Sequence, residues 1–138
     1  IGAARAHGYG LDVDSYMNSA NEQIDVIVHI EHVKGAQDID KILEVEGVDA
    51  VLIGPYDLSG SLGKPGEVDD PEVQGHINRV RDACLKRKKP IGIIGITVEA
   101  AKPFLDQGYS LVAVGIDTMI FGHAARDILA KMKGEHAG

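Results

Sequence analysis

With 138 residues, 44% of them hydrophobic and 25% charged, the chain has enough apolar material for one domain with a real core, and too much for a disordered segment. A formal net charge of −7 lacks the basic footprint that nucleic-acid binding requires. The single cysteine, Cys84, excludes a disulfide framework or a cysteine-rich zinc site within one chain, and no apolar run approaches the roughly 20 residues of a membrane span. No signal peptide opens the chain, so the expected location is cytoplasmic. The sequence starts at Ile1 without Met, which fits either processing or a place inside a longer protein.

Residues 1–13 are glycine-rich and aperiodic and read as loop. Asp14 is a plausible cap for a short helix over 15–23, and VIVHIE at 26–31 reads as the first strand. A helix is expected over 34–45, with Ile39, Ile42 and Leu43 on one face and Gly47 as its stop. The second strand spans 49–54. A long loop over 55–70 follows, holding at most one helical turn at 57–62 and a Lys64-Pro65-Gly66 turn. Pro71 opens a strong helix to about Arg87, where Val73, Ile77, Val80 and Cys84 recur at spacings of four, three and four. That places Cys84 on a buried face and leaves the basic run KRKK at 86–89 as a solvated last turn. PIGIIGI at 90–96 is the third strand, and its glycines suggest close approach to the backbone. Thr97 caps a helix to Gln107 that Pro103 should kink or end early. SLVAVG at 110–115 is the fourth strand. A last helix, capped by Asp117 or Thr118, runs to about Lys133 with Phe121, Ala124, Ala125, Ile128, Leu129 and Met132 on its apolar face; 134–138 read as a loose tail.

Four apolar strands alternating with helices imply an α/β fold with a parallel sheet buried on both faces. In this length, four βα units make either a small open sheet or half of a (β/α)8 TIM barrel. No GxGxxG or P-loop pattern follows any strand, so a nucleotide-binding reading lacks its loop.

Two acids stand just past neighbouring strands. Glu31 ends VIVHIE, and Asp57 follows AVLIGPY, about one βα repeat later. Ligands in such folds bind at the C-terminal ends of strands, and adjacent parallel strands lie roughly 4.8 Å apart. Two carboxylates converging there repel unless a proton or a cation lies between them. A hard divalent ion completed by waters and a chelating substrate answers that need. The alternative is that the two acids do not converge, one being a helix cap and the other a surface acid. His29 points to the same side as Glu31 in an extended strand, as a third ligand, a substrate contact or a core histidine. His7, His76, His123 and His136 share no spacing with it, and Asp117 is more simply a helix cap than a third acid.

HIEH at 29–32, VEGVDAVLIGPYDLSGSLGKPG at 45–66, PEV at 71–73 and LVAVGID at 111–117 resemble the HpcH/HpaI aldolase family, and they do so in matching order over nearly the whole chain. These are class II, metal-dependent pyruvate aldolases related to 4-hydroxy-2-oxoheptanedioate and 2-dehydro-3-deoxyglucarate aldolases. The resemblance implies the C-terminal half of a (β/α)8 barrel, with 1–138 as a single partial-barrel domain. It puts the family's metal-binding Glu on Glu31 and its metal-binding Asp on Asp57, with Mg2+, Mn2+ or Co2+ as the ion. Gly54 and Tyr56 fall where backbone amides approach the pyruvate carboxylate. His29 stands where many members have Gln contacting pyruvate, and many members have a smaller residue than Tyr56, which implies a narrower pocket here. The implied reaction is cleavage of a 4-hydroxy-2-oxo acid to pyruvate and an aldehyde through a metal-stabilised enolate, in a homo-oligomer, a hexamer in the family, whose last helix is often exchanged between subunits. Lys64 forms no Schiff base in that chemistry and reads as a surface or substrate-entry charge.

The family's arginine that neutralises the enolate and its histidine–aspartate pair lie in the N-terminal half, and no position here matches them; Arg5 falls in a mid-barrel loop. A second reading is therefore a catalytically incomplete half-barrel that keeps the metal ligands. A third is a citryl- or malyl-CoA lyase-like enzyme, against which stands the lack of a basic cluster for a CoA phosphate.

Overall fold

The computed structural model describes residues 3–134, so the tail expected beyond 134, His136 with it, and residues 1 and 2 of the opening loop lie outside the described residues. The four apolar runs become four strands, β1 (Ile27–Ile30), β2 (Ala50–Ile53), β3 (Ile91–Gly95) and β4 (Leu111–Val114). They form one sheet in the order β1-β2-β3-β4, every pair parallel. The register aligns Ile30, Ile53, Ile93 and Val112 in one row, and Val28, Val51 and Ile91 in another. These β-branched rows face the helices and build the core.

The helices are α1 (Val13–Gln23), α2 (Val33–Gln37), α3 (Ile39–Ile42), α4 (Pro55–Ser61), α5 (Pro71–Lys86), α6 (Val98–Ala101) and α7 (Asp117–Lys133). The strongest periodic helix, α5, supplies Val73, Ile77, Val80 and Cys84 to the core, packed with Ala36, Ile39 and Leu58 against the sheet. Cys84 is fully buried there, and burial pushes its thiol up to about 11.

Several expectations are corrected. The single helix over 34–45 is two short ones, because Asp38, a poor interior helix residue, stands at φ −92°, ψ 13° and restarts the turn by accepting from the Lys41 and Ile42 amides. The Gly-Pro pair at 54–55 opens a helix rather than a loop: Pro55 occupies the first helical position, where its missing N–H costs nothing. The 1–13 loop contains a distorted 3-10 turn over Arg5–Gly10 around the buried His7. After α6 the chain tightens into a 3-10 turn at Lys102–Gln107, the early boundary expected of Pro103. The strand glycines do admit a close approach, by neighbouring side chains: a Cβ at Gly92 would lie 2.7 Å from Leu52 Cδ1, and one at Gly95 2.7 Å from Ala101 Cβ.

Lys64 is a structural tie. Its ammonium bonds Asp70 Oδ1 at 2.7 Å and Glu72 Oε2 at 2.9 Å, while Asp70 caps α5 by accepting from the Glu72 amide at 2.8 Å. Lys64 beside Asp70 holds that carboxyl below its ordinary 3.8, and Asp70 and Glu72 raise Lys64 above its ordinary 10.5. The Asp70 contribution to stability is therefore complete above pH 3.8 and fades as pH falls through the lowered value. The Lys64 contribution is complete below pH 10.5 and fades as pH rises through the raised one. Asp70→Asn is expected to melt at a lower temperature than wild type near neutral pH, with the gap closing in acid. A gap that stays constant from pH 6 to pH 2 overturns the tie.

The C-terminal helix α7 has no buried residue: Phe121 is 77% and Met132 83% exposed, so its apolar face is not packed onto its own sheet. No helix among the described residues is long and apolar enough to cross a membrane.

Candidate metal centre

The parallel ladder brings two chain segments together at the C-terminal edge of β1 and β2. Ile30 pairs with Ile53, so Glu31 and Gly54 are the next residues out on adjacent strands. The Gly54 amide donates to the Ile30 carbonyl at 3.2 Å, extending the sheet by one bond. The Glu31 side chain lies directly over Gly54: a Cβ there would stand 2.8 Å from Glu31 Cγ and 3.0 Å from Oε1. What Gly54 brings is thus an empty place for a glutamate side chain, since its amide is already engaged. Three residues on, Asp57 occupies the first turn of α4, where negative charge is favoured by the helix dipole. The Tyr56 and Asp57 amides belong to that same first turn and have no intrahelical carbonyl to bond.

His29 Nδ1 lies 2.9 Å from Glu31 Oε1, both side chains about half exposed. Among the described residues no group of three or more His, Cys, Asp or Glu side chains is arranged to hold a metal. His32, the other flanking histidine, caps α2 by accepting from the Lys34 amide. Asp117 likewise serves its own helix, accepting from the Thr118 amide at 2.8 Å. The donor set this chain offers is two carboxylates, with a neighbouring imidazole on one of them. That set suits a hard divalent ion completed by water and by an oxygen-chelating ligand. Pro55 and Tyr56 also border a cleft of about 560 Å3 that runs toward Thr97, Glu99 and Phe104.

Two features escaped the sequence reading. Ser59, fully buried, donates to the Tyr56 carbonyl and accepts from the Gly66 amide. Ser61 accepts from the Val33 amide across 28 residues. The Gly/Ser-rich look of 59–63 was the only signal of either.

A sequence model of the HpcH/HpaI aldolase/citrate lyase family matches residues 3–124. The chain belongs to that family. Members of the HpcH/HpaI class are divalent-metal dependent, which agrees with the donor set. Among curated proteins, 2-keto-3-deoxy-L-rhamnonate aldolase of Salmonella typhimurium is 41% identical over 134 residues, covering 94% of this chain and 48% of the relative. The chain thus spans about half the length of the curated relatives it matches. Among solved structures, an HpcH/HpaI aldolase/citrate lyase family protein of Burkholderia cenocepacia superposes with a TM-score of 0.86 at 32% identity, covering 96% of this chain and 51% of that one. The HpcH/HpaI aldolase of Desulfitobacterium hafniense gives 0.73 at 29% identity over 93% and 49%. The four-stranded parallel sheet with its helices is accordingly half of an HpcH/HpaI-type TIM barrel.

Proposed function

We propose that this chain is the pyruvate-handling half of a divalent-metal aldolase that cleaves a 4-hydroxy-2-oxo acid to pyruvate and an aldehyde. The observation that carries the reading is the Glu31 side chain seated over Gly54, on the strand whose following helix presents Asp57. Glu31 and Asp57 would hold the ion, and their all-oxygen character favours Mg2+ or Mn2+ over softer metals, with Co2+ as a working substitute. A divalent ion held there supplies Lewis-acid charge where negative charge develops on the pyruvate oxygens. The chain's own groups do the rest of the binding. The Tyr56 amide, unoccupied within its helix, meets the pyruvate carboxylate. His29, whose Nδ1 lies 2.9 Å from Glu31 Oε1, is the side chain read as contacting pyruvate beside that ligand. The curated relatives named as 2-keto-3-deoxy-L-rhamnonate aldolases support a hydroxylated 2-oxo acid as substrate.

The half-barrel's own surfaces support a second element of the reading. Residues 1–138 act as one unit, a partial barrel, whose remaining βα units and enolate-neutralising groups come from further chain or from another subunit. Among the described residues its sheet ends in two open edges, β1 and β4, and the apolar face of α7 is bare. A homo-oligomer, a hexamer by family resemblance, would cover that face. We place the protein in the cytoplasm on composition, with one cysteine and no apolar span. A CoA thioester substrate is disfavoured: the cleft beside Tyr56 is lined by Asp69 and Glu99 and by no lysine or arginine.

The deciding experiment couples pyruvate release from a 4-hydroxy-2-oxo acid to lactate dehydrogenase. Turnover should vanish with EDTA and return with Mg2+ or Mn2+. Turnover that survives thorough metal removal overturns the metal role. Ion binding without turnover points to the catalytically incomplete half-barrel.

A further inference from the structure

We propose that Ser61 is a positioning residue for the carboxylate pair, the pin that fixes the Asp57 helix against the Glu31 segment. This deepens the metal-site reading above and rests on it. The two acids lie on separate pieces of chain, 30–33 and 54–61, and those pieces are joined at two points only a few residues apart. At one end the Gly54 amide donates to the Ile30 carbonyl at 3.2 Å. At the other the Val33 amide donates to Ser61 Oγ at 3.0 Å. Glu31 falls between Ile30 and Val33, and Asp57 falls between Gly54 and Ser61, so the two bonds close a frame around both acids.

The two pins differ in kind. The Gly54–Ile30 bond is backbone to backbone and survives any side-chain change short of proline. The other depends on one hydroxyl. That hydroxyl has a fixed rotor, because Ser61 Oγ donates its own proton to the Leu58 carbonyl at 2.7 Å. Leu58 is fully buried in the core, so the oxygen's lone pair is presented to Val33 from an anchored turn. Without it, α4 keeps its core contact through Leu58 and the Gly54–Ile30 bond but loses its tie to the start of α2, and Asp57 shifts relative to Glu31. A chelate of two carboxylates is sensitive to such a shift because both oxygens must reach one point.

A plainer role competes with this one. Val33 is the first residue of α2, so the plainer reading makes Ser61 no more than a cap for that short helix. A cap alone would change stability and leave the acids' relative position unaltered. Ser110 offers the matched control. Its hydroxyl also bridges backbone across the sheet, accepting from the Ile91 amide at 3.1 Å and donating to the Ile91 carbonyl at 3.2 Å, but it does so at the opposite end of the strands.

The test titrates the purified chain with Mn2+, reading free ion by electron paramagnetic resonance, and records the melting temperature of each metal-free variant. Ser61→Ala is expected to weaken Mn2+ binding about 10- to 100-fold, the range seen when a group that orients a metal ligand is lost. Ser61→Thr, which keeps the hydroxyl, should restore most of it, and Ser110→Ala should melt lower yet bind Mn2+ as wild type does. If Ser61→Ala does not fold, Ser61→Cys, close in volume but a weak acceptor, is read in its place. Wild-type affinity in the Ser61 variant, or equal weakening by Ser61→Ala and Ser110→Ala, overturns the positioning role alone. Failure of the wild-type chain to take up Mn2+ overturns the metal-site reading and this inference with it.

Discussion

Glu31→Gln and Asp57→Asn are each expected to weaken Mn2+ binding by more than about 100-fold, since losing even a partner that orients a metal ligand costs about 10- to 100-fold. Both replacements keep the side-chain volume and remove one charge. Neither should unfold the protein. Among the described residues the polar partner of Glu31 is His29, in a pair half exposed on both sides, and exposed pairs of that kind contribute little to stability. Asp57 is exposed at the head of α4, where it makes no side-chain cap bond. The signature is therefore a split: ion affinity collapses while the melting temperature of the metal-free protein holds. Under the proposed site, where the two acids would hold one ion, the double variant should be no worse than either single one in any turnover assay. Calorimetric titration with Mn2+ or Mg2+ on the three variants checks this. Wild-type affinity in either single variant removes that residue from the metal site.

The split also explains why parts of this molecule could be read before its structure and other parts could not. The strands were legible because VIVHI, AVLI and IGIIG are apolar runs bounded by breakers, a pattern that buried parallel strands share with few alternatives. The α5 helix was legible for the same reason: Val73, Ile77, Val80 and Cys84 mark one face of one helix and all four are buried. Local punctuation was less reliable. Pro55 after Gly54 signals a break and a helix start equally well, and only the packing of Leu58 into the core selects the helix. Asp38 interrupts a sequence with helical spacing because its own turn is as good as the continued helix.

The candidate site was legible as residue types and illegible as geometry. Two acids one βα repeat apart announce a possible pair, but whether each faces the other depends on the ladder register, and that register is written in contacts between Ile30 and Ile53. The Ser61–Val33 bond joins residues 28 apart and leaves no periodic trace. The amphipathic pattern of α7 correctly marked Phe121, Ile128, Leu129 and Met132 as one apolar face, yet a pattern says only that a face needs covering. It cannot say by what, and nothing among the described residues covers it.

Gly54 provides the sharpest separation of fold from site. Its φ of −103° is open to any residue, so Gly54→Ala introduces no backbone strain, and the change acts only through its new methyl group. That methyl would stand 2.8 Å from Glu31 Cγ, 3.0 Å from Oε1 and 3.3 Å from Cδ, and no other heavy atom is among its nearest neighbours. A contact at 2.8 Å between carbons is well inside the 3.5–4.0 Å optimum, so one of the two must move. The backbone of Gly54 is held by its own bond to Ile30 and by the Leu58 amide on its carbonyl at 3.0 Å, while Glu31 is half exposed and free to take another rotamer. Glu31 therefore yields. Its carboxylate leaves the position over residue 54, and the His29 contact goes with it. The expected result is a loss of about 10- to 100-fold in Mn2+ affinity, comparable with disturbing a ligand's orientation rather than deleting it. The melting temperature should rise slightly if it moves at all, because alanine restricts the unfolded chain more than glycine does. A titration giving wild-type affinity for Gly54→Ala would show that Glu31 reaches the ion from a rotamer away from residue 54. A large fall in melting temperature would show instead that β2, not Glu31, had given way.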